Sequence, residues 1–281
     1  MNFARGLAKR RNLYYDAVIV IIIVHHGKDK IDAVEHISSR KNPYILRLRA
    51  LSADGAFRRA EGEYLCDGHK LLAEALEKGA EIRTVLWKGA AGEIPLPGSV
   101  KQYTAPDDLF DYSSPMKNSP GPLFTLAIPA EAEPVFERAI LLENVQDPGN
   151  VGTVIRTAAA MGIGTVLLCG ACADVYSPKT ARATMGAIFR EKIIHCTVEQ
   201  VRALADRNGL KLYSAALSDR AADIRELSLG NAVVAIGSEG RGLSAKLLSQ
   251  CDGELIIPMS PGSESLNAAV AAAIILWEMA R

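Results

Sequence analysis

The 281-residue chain has no net charge to spare: 32 Lys/Arg balance 32 Asp/Glu. The overall balance therefore gives no signal of a polyanionic partner. Long hydrophobic runs are missing too. The most apolar stretch, AVIVIIIV at 17–24, is eight residues long, far short of the roughly 20 that cross a bilayer. Basic residues precede it, but HHGKDK follows and no small-residue cleavage site is visible. It reads as a strand, or as an extension upstream of the folded domain, rather than as a signal or anchor. Cysteine is scarce, with five residues at 66, 169, 172, 196 and 251. CGAC at 169–172 has the spacing of half a zinc site, but no second pair stands near it, which argues for buried or incidental thiols and no metal. An odd count without an export signal suits a reducing, cytoplasmic compartment. Two phosphate-binding signatures are absent as well. No G-x-x-x-x-G-K-[ST] string occurs, and no G-x-G-x-x-G follows a strand.

Charge is unevenly placed even so. Residues 1–60 carry 12 Lys/Arg against 5 Asp/Glu, whereas 61–130 carry 6 against 10 and 131–281 carry 14 against 17. A basic first segment on a neutral chain marks either a polyanion contact or a solvated face.

Periodicity divides the rest into two α/β halves. In the first, 31–60 reads as an Arg-rich helix and HKLLAEALEKG at 69–79 as another. Strands are expected over 63–68, 82–87, 99–104 and 122–129. The acidic, Pro-containing 130–137 reads as a linker. In the second half, strands are expected over 138–145, 165–169, 191–196, 211–217, 232–237 and 254–258. Helices over 150–161, 178–188, 197–207, 243–250 and 265–280 fill the gaps. These strands are apolar on both faces, which predicts a parallel sheet covered on both sides. In the last helix Leu266, Ala269, Val270, Ala273, Ile274 and Trp277 recur at helical spacing, predicting one buried stripe. Its many alanines would permit close helix approach, within the core or across a dimer contact.

Three segments carry the candidate chemistry, each directly after an expected strand. The first is NVQDPGNVGTVIRTAAAMG at 144–162. Its Asp147, Pro148 and Gly149 are explained by an ordinary helix-capping turn; Asn150 and Arg156 are not. The second is AIGSEGRGLS at 235–244. Its three glycines around Glu239 suit either backbone held close to a ligand or a plain loop with an acid on a helix dipole. The third is IIPMSPGSESLNAAVAAAI at 256–274, where Ser265 suits a helix N-cap and Asn267 opens an apolar helix. In α/β sheets ligands bind at the carboxyl ends of strands, so one shared site is expected.

Together the three segments, in this order and spacing, resemble the motifs of the SpoU/TrmH branch of the SPOUT superfamily, RNA ribose 2′-O-methyltransferases. SPKTARATMGAIFR at 177–190 resembles the segment that such proteins carry between motifs one and two. The resemblance covers 138–281. Residues within 31–129 resemble the small ribosomal-protein-like domain that often precedes it, and 1–30 have no counterpart. The resemblance implies a trefoil-knotted parallel-sheet domain, against the general rule that chains do not thread loops. It also implies a homodimer through the knotted domain and S-adenosylmethionine as methyl donor, bound near Gly237, Ile257 and Leu266, with no metal. Arg156 is implied as the key catalytic residue, with Asn150, Glu239, Ser265 and Asn267 around it. A guanidinium has no free acceptor and stays protonated, so Arg156 is expected to clamp a phosphate and steady a developing alkoxide, with Glu239 orienting it. RNA capture falls to the first domain, through Arg40, Lys41, Arg47, Arg49, Arg58 and Arg59. The alternative is a catalytically inactive RNA-binding protein of the same fold, against which the retention of all five site residues speaks. A nucleotide-binding oxidoreductase would have the sheet but lacks the glycine fingerprint.

Overall fold

The computed structural model describes residues 34–130, 135–218, 220–260, 262 and 265–281. The apolar run at 17–24, the rest of the expected extension and half of the expected linker lie outside them.

Local capping decides the first elements. After the short strand β1 (Glu35–His36), the Asn42 side chain accepts the Tyr44 N–H and Pro43 opens helix α1 (Pro43–Ala53). The Asp54 carboxylate then accepts the Ala56 and Phe57 N–H groups and starts a separate helix, α2 (Gly55–Glu61). The single helix expected over 31–60 is thus corrected: the described residues before Pro43 are not helical, and Asp54 ends the first helix and caps a second, its carboxylate satisfying first-turn N–H groups that have no carbonyl partner in α2. Strand β2 (Glu63–Asp67), helix α3 (His69–Glu77), strands β3 (Ile82–Lys88) and β4 (Lys101–Ala105), helix α4 (Asp107–Ser113) and strand β5 (Leu123–Ala127) complete this half. Its sheet runs β1-β4-β3-β5-β2, with β5 antiparallel to both neighbours. Helix α4 has no counterpart among the expected elements.

The second half begins with β6 (Ala139–Glu143), α5 (Pro148–Ala160), β7 (Thr165–Cys169) and α6 (Pro178–Ala183). It continues through β8 (Lys192–Cys196), α7 (Val198–Arg207), β9 (Lys211–Ala215), β10 (Ala222–Asp223) and β11 (Ala232–Ile236), and ends with α8 (Ala245–Leu248), β12 (Gly253–Ile256) and α9 (Ala268–Ala280). The seven strands pair in the order β10-β12-β9-β11-β6-β7-β8, every pair parallel. This is the mixed α/β fold with a parallel sheet that the sequence predicts. β6, β7 and β11 are buried at every residue. Alternate residues sort to opposite faces, as the two-residue period requires. Ile140, Leu142, Val166, Leu168, Val234 and Ile236 pack against α5 and α9. Ala139, Leu141, Leu167, Val233 and Ala235 pack against α7 and α8.

Two expectations about helices need correction. The helix expected over 178–188 ends at Ala183, because Met185 (φ 50) and Gly186 (φ 92) both take left-handed conformations before a 3₁₀ turn at Ala187–Phe189. In α9 the buried residues are Ala268, Ala269, Ala272, Ile275, Leu276 and Met279, while Val270 is 48% and Trp277 61% exposed. Of the expected stripe only Ala269 is buried; Leu266 precedes the helix, Ala273 and Ile274 are half-buried, and Val270 and Trp277 form the outward edge. The helix is apolar nearly all round, so helical spacing fits either face, and contact with α5 and the sheet chooses.

The halves meet along β2, α2 and α3 on one side and residues 174–190 on the other. The Tyr64 and Tyr176 rings lie 4.9 Å apart. Ala181 and Ile188 join the apolar cluster of Tyr64, Leu72, Val85 and Trp87. Ion pairs cross the same junction: Arg58 donates through Nη2 (2.6 Å) and Nε (3.1 Å) to Asp174 Oδ2, and Arg190 stands 3.5 Å from Glu74.

Candidate active site

The carboxyl ends of β6, β11 and β12 lead into the three segments singled out above, and hydrogen bonds tie their tips together. After β6, Asp147 caps α5 by accepting the Asn150 N–H at 2.8 Å. That fixes Asn150 in the first turn, from which its Nδ2 donates to Glu239 Oε1 at 2.7 Å. After β12, Asn267 is the N-cap of α9, its Oδ1 accepting the Ala269 and Val270 N–H groups. With the oxygen so committed, its Nδ2 donates to Glu239 Oε1 at 2.6 Å and to Asn150 Oδ1 at 3.2 Å. The Ala268 N–H adds a fourth tie, to Glu239 Oε1 at 3.3 Å. One carboxylate oxygen thus collects three donors at the amino end of a 13-residue helix, where the peptide dipoles favour negative charge.

The loop that carries Glu239 is held from below. Glu143, the last residue of β6 and only 3% exposed, accepts both the Ser244 N–H and the Ser244 hydroxyl at 2.7 Å. Ser244 Oγ in turn accepts the Leu247 N–H as the cap of α8. Gly237 lies against Gly242, whose carbonyl carbon is 2.1 Å from where a Gly237 Cβ would stand. No side chain fits there. Glu143 escapes a reading of the sequence because it looks like the end of an apolar strand; an acid closing an otherwise buried run is the available signal.

The other expected site residues stand apart from this cluster. Arg156 lies two turns further along α5, exposed, with no hydrogen bond or ion pair among the described residues. Six residues on a helix amount to about 9 Å of rise and a third of a turn out of phase, so it does not meet Asn150. The expectation that Glu239 orients Arg156 is corrected: Glu239 is engaged with Asn150, Asn267 and the α9 backbone instead. Ser265 is exposed and is not the N-cap of the last helix, a place that Asn267 takes. Gly237, Ile257 and Leu266 are half-buried around the cluster.

The six basic residues of the first domain divide sharply. Arg58 is buried, at 4% exposure, with Nη1 also donating to the Leu51 carbonyl; it holds the domain junction and is removed from any RNA-facing set. Arg47 is spent on Glu61 and on buried Glu63. Arg49 donates to the Tyr112 carbonyl and lies over its ring, and Arg40 pairs with Asp108 beside the same ring. Lys41 and Arg59 remain exposed, and no carboxylate among the described residues pairs with them.

Cys169 and Cys196 are cross-strand neighbours on β7 and β8, and Cys172 donates to the Leu142 carbonyl. Burial pushes the Cys169 thiol up to about 11 and the Cys196 thiol up to about 12. Among the described residues no group of His, Cys, Asp or Glu could hold a metal ion, and no helix is long and apolar enough to cross a membrane.

The chain has known relatives. The SpoU rRNA Methylase family matches residues 137–277. A 23S rRNA (guanosine(2553)-2′-O)-methyltransferase of Bacillus subtilis (strain 168) is 29% identical, over 88% of this chain and 99% of its own. The AdoMet-bound structure of an rRNA methyltransferase from Sinorhizobium meliloti superposes with a TM-score of 0.76 at 26% identity, over 88% of this chain and 97% of that one. A SpoU methyltransferase from Streptomyces viridochromogenes, in complex with AdoMet, gives 0.77 at 25% identity, over 85% and 97%.

Proposed function

The chain belongs to the SpoU rRNA methylase family, and from that premise we propose that it transfers a methyl group from S-adenosylmethionine to a ribose 2′-hydroxyl of ribosomal RNA. The observation that carries this reading is the Asn150–Glu239–Asn267 cluster, which locks three loops into one surface at the carboxyl ends of the parallel strands. Two related structures hold AdoMet. The residues here fit such a donor. Half-buried Ile257 and Leu266, on the segment after β12, offer apolar side chains and main-chain polar groups, and Gly237, after β11, is half-buried too, a mix that suits a ligand with an adenine ring and an amino-acid end. Bound there, the donor supplies an electrophilic methyl on a sulfonium.

The protein's share is then position and charge. Asn150, Glu239 and Asn267 fix the loops that orient the two reactants, and orientation is where such a reaction gains most. Arg156, exposed and with no side-chain partner among the described residues, is available to grip an RNA phosphate with its forked donors and to lower the cost of the alkoxide that forms. The outward edge of α9, with Val270, Ile274 and Trp277, is the contact through which a second copy docks, and the knotted threading implied by the motifs belongs to the same reading.

The test combines two measurements. Wild-type protein should bind the donor in calorimetry and methylate ribosomal RNA, with Arg156→Lys losing about 100-fold or more because a point charge replaces a planar fork. Mapping of 2′-O-methylation in deletion and wild-type cells should show one ribosomal RNA position lost. No donor binding, with no position lost, would support the inactive RNA-binding alternative; an Arg156→Lys variant with most of its activity would overturn the bidentate clamp; a lost position in transfer RNA would overturn the choice of ribosomal RNA.

A further inference from the structure

Several exposed basic residues that no carboxylate pairs among the described residues stand at the domain junction, although others, such as Lys41 and Arg241, lie elsewhere. Helices α5 and α6 are in backbone contact: a Cβ on Gly152 would lie 2.4 Å from the Ala183 Cβ and 2.8 Å from the Thr180 carbonyl oxygen. Arg156 sits one turn beyond Gly152 on α5, and Lys179 and Arg182 flank Thr180 and Ala183 on α6. All three are exposed, and none of their side chains has a hydrogen bond or ion pair among the described residues. Across the junction, Arg59 joins them. A Cβ on Gly55 would stand 3.4 Å from Arg59 Nη1 and 3.0 Å from Asp174 Oδ2, and Asp174 lies three residues before Ser177, the cap of α6.

The carboxylates that make ion pairs across this junction are already matched. Asp174 is taken by buried Arg58, and Glu74 by Arg190. Four exposed cations from three helices therefore stand at or beside the junction, and no carboxylate among the described residues forms an ion pair with any of them. A path through them starts at Arg59 on α2, crosses to α6, and ends on the helix whose first turn holds Asn150. The Arg58–Asp174 pair and the Tyr64–Tyr176 contact keep its two banks in register.

We propose that Arg59, Lys179, Arg182 and Arg156 form a phosphate-binding path across the domain junction, along which the RNA backbone is led to the Asn150–Glu239–Asn267 cluster. This rests on the reading of the chain as an RNA methyltransferase and adds a surface to it. Like-signed residues presented by separate helices suit a chain of phosphates better than a compact anion. Such side chains position the nucleic acid without reading its sequence.

The experiment uses the full chain and protein-free ribosomal RNA in filter binding over a series of KCl concentrations. Removing the cation opposite one phosphate should reduce the slope of log K against log salt by about 0.7–0.9. The double variant Lys179→Gln, Arg182→Gln should therefore bind more weakly and lower the slope by about 1.5, with its melting temperature and calorimetric donor affinity unchanged. Arg59→Gln should lower it by about half as much. If the double variant fails to fold, the two single variants carry the measurement, each with the same expected reduction as Arg59→Gln. Wild-type slope and affinity in the variants would overturn the path while leaving the methyltransferase reading intact. A wild type that binds neither donor nor RNA would overturn that reading and the path with it.

Discussion

Glu239 shows how much a single side chain arranges here, since one of its oxygens ties the Asn150 and Asn267 amides and the first N–H of α9. Glu239→Ala should reduce methyl transfer by about 100-fold, the scale of a 1 Å misplacement of reacting groups, while the exposed position keeps the loss in melting stability small. Asn267→Ala should do both: it releases the loop and removes an N-cap, which costs about 1 kcal/mol, read by urea denaturation. The cysteines give a second expectation at this scale. Burial disfavours the thiolate, so pKa values of about 11 for Cys169 and about 12 for Cys196 leave them protonated at pH 8. Alkylation at that pH should be more than about 100-fold slower than that of a free thiol and become fast only in denaturant; rapid labelling of the native protein would contradict the packing around β7 and β8. Asn150, Glu239 and Asn267 stand out in the sequence because each lies in a segment directly after an expected strand; that the three side chains meet is not legible there, since turn or cap chemistry alone could place Glu239 and Asn267. Arg58 and Arg59 are not distinguishable there. Arg58 is buried with its guanidinium paired to Asp174, 116 residues away, whereas Arg59 stays exposed, and no local pattern contains that information.

Helix α5 carries the site and is also the element most tightly constrained. Gly152 is there because α6 crosses at backbone distance. Gly152→Ala should cost about 1–3 kcal/mol as overpacking, seen as a lower urea midpoint with an unchanged slope, and should lower activity further by shifting Asn150 and Arg156 together. An alanine variant as stable as wild type would mean that the two helices are not in contact. The elements most legible in the sequence are the central strands. A strand buried on both faces is a short apolar run whatever its neighbours, and β6, β7 and β11 are of that kind. Less legible are elements decided by competition. Asn42 delays the start of an expected helix and Asp54 cuts it in two, because a side-chain cap outweighs continued periodicity. α9 shows the converse failure: AAVAAAIILWEMA is apolar on every side, so spacing alone fits either face.

At the scale of the molecule, that second apolar face of α9 calls for a partner. Val270 and Trp277 are seven residues apart, which puts them on one side of the helix, with Ile274 half-buried between them. A tryptophan at 61% exposure on an otherwise well-packed domain is the kind of residue that anchors an interface, where its removal commonly costs about 2 kcal/mol or more. The opposite face of α9 is already sunk against α5 and the sheet, so a second copy can reach only this edge. Sedimentation at micromolar concentration should therefore report a dimer. Trp277→Asp should shift it to monomer, because a carboxylate would be buried at the contact without a counter-ion, and the monomer should keep its circular dichroism, since the indole packs on little within its own chain. The asymmetry of the two faces makes the comparison decisive: Met279→Asp, on the buried side at 1% exposure, should unfold the domain, whereas Trp277→Asp should dissociate it. If both variants remain dimeric and folded, or if wild type is monomeric, α9 is not the contact, and the exposed tryptophan is left without the role its position demands.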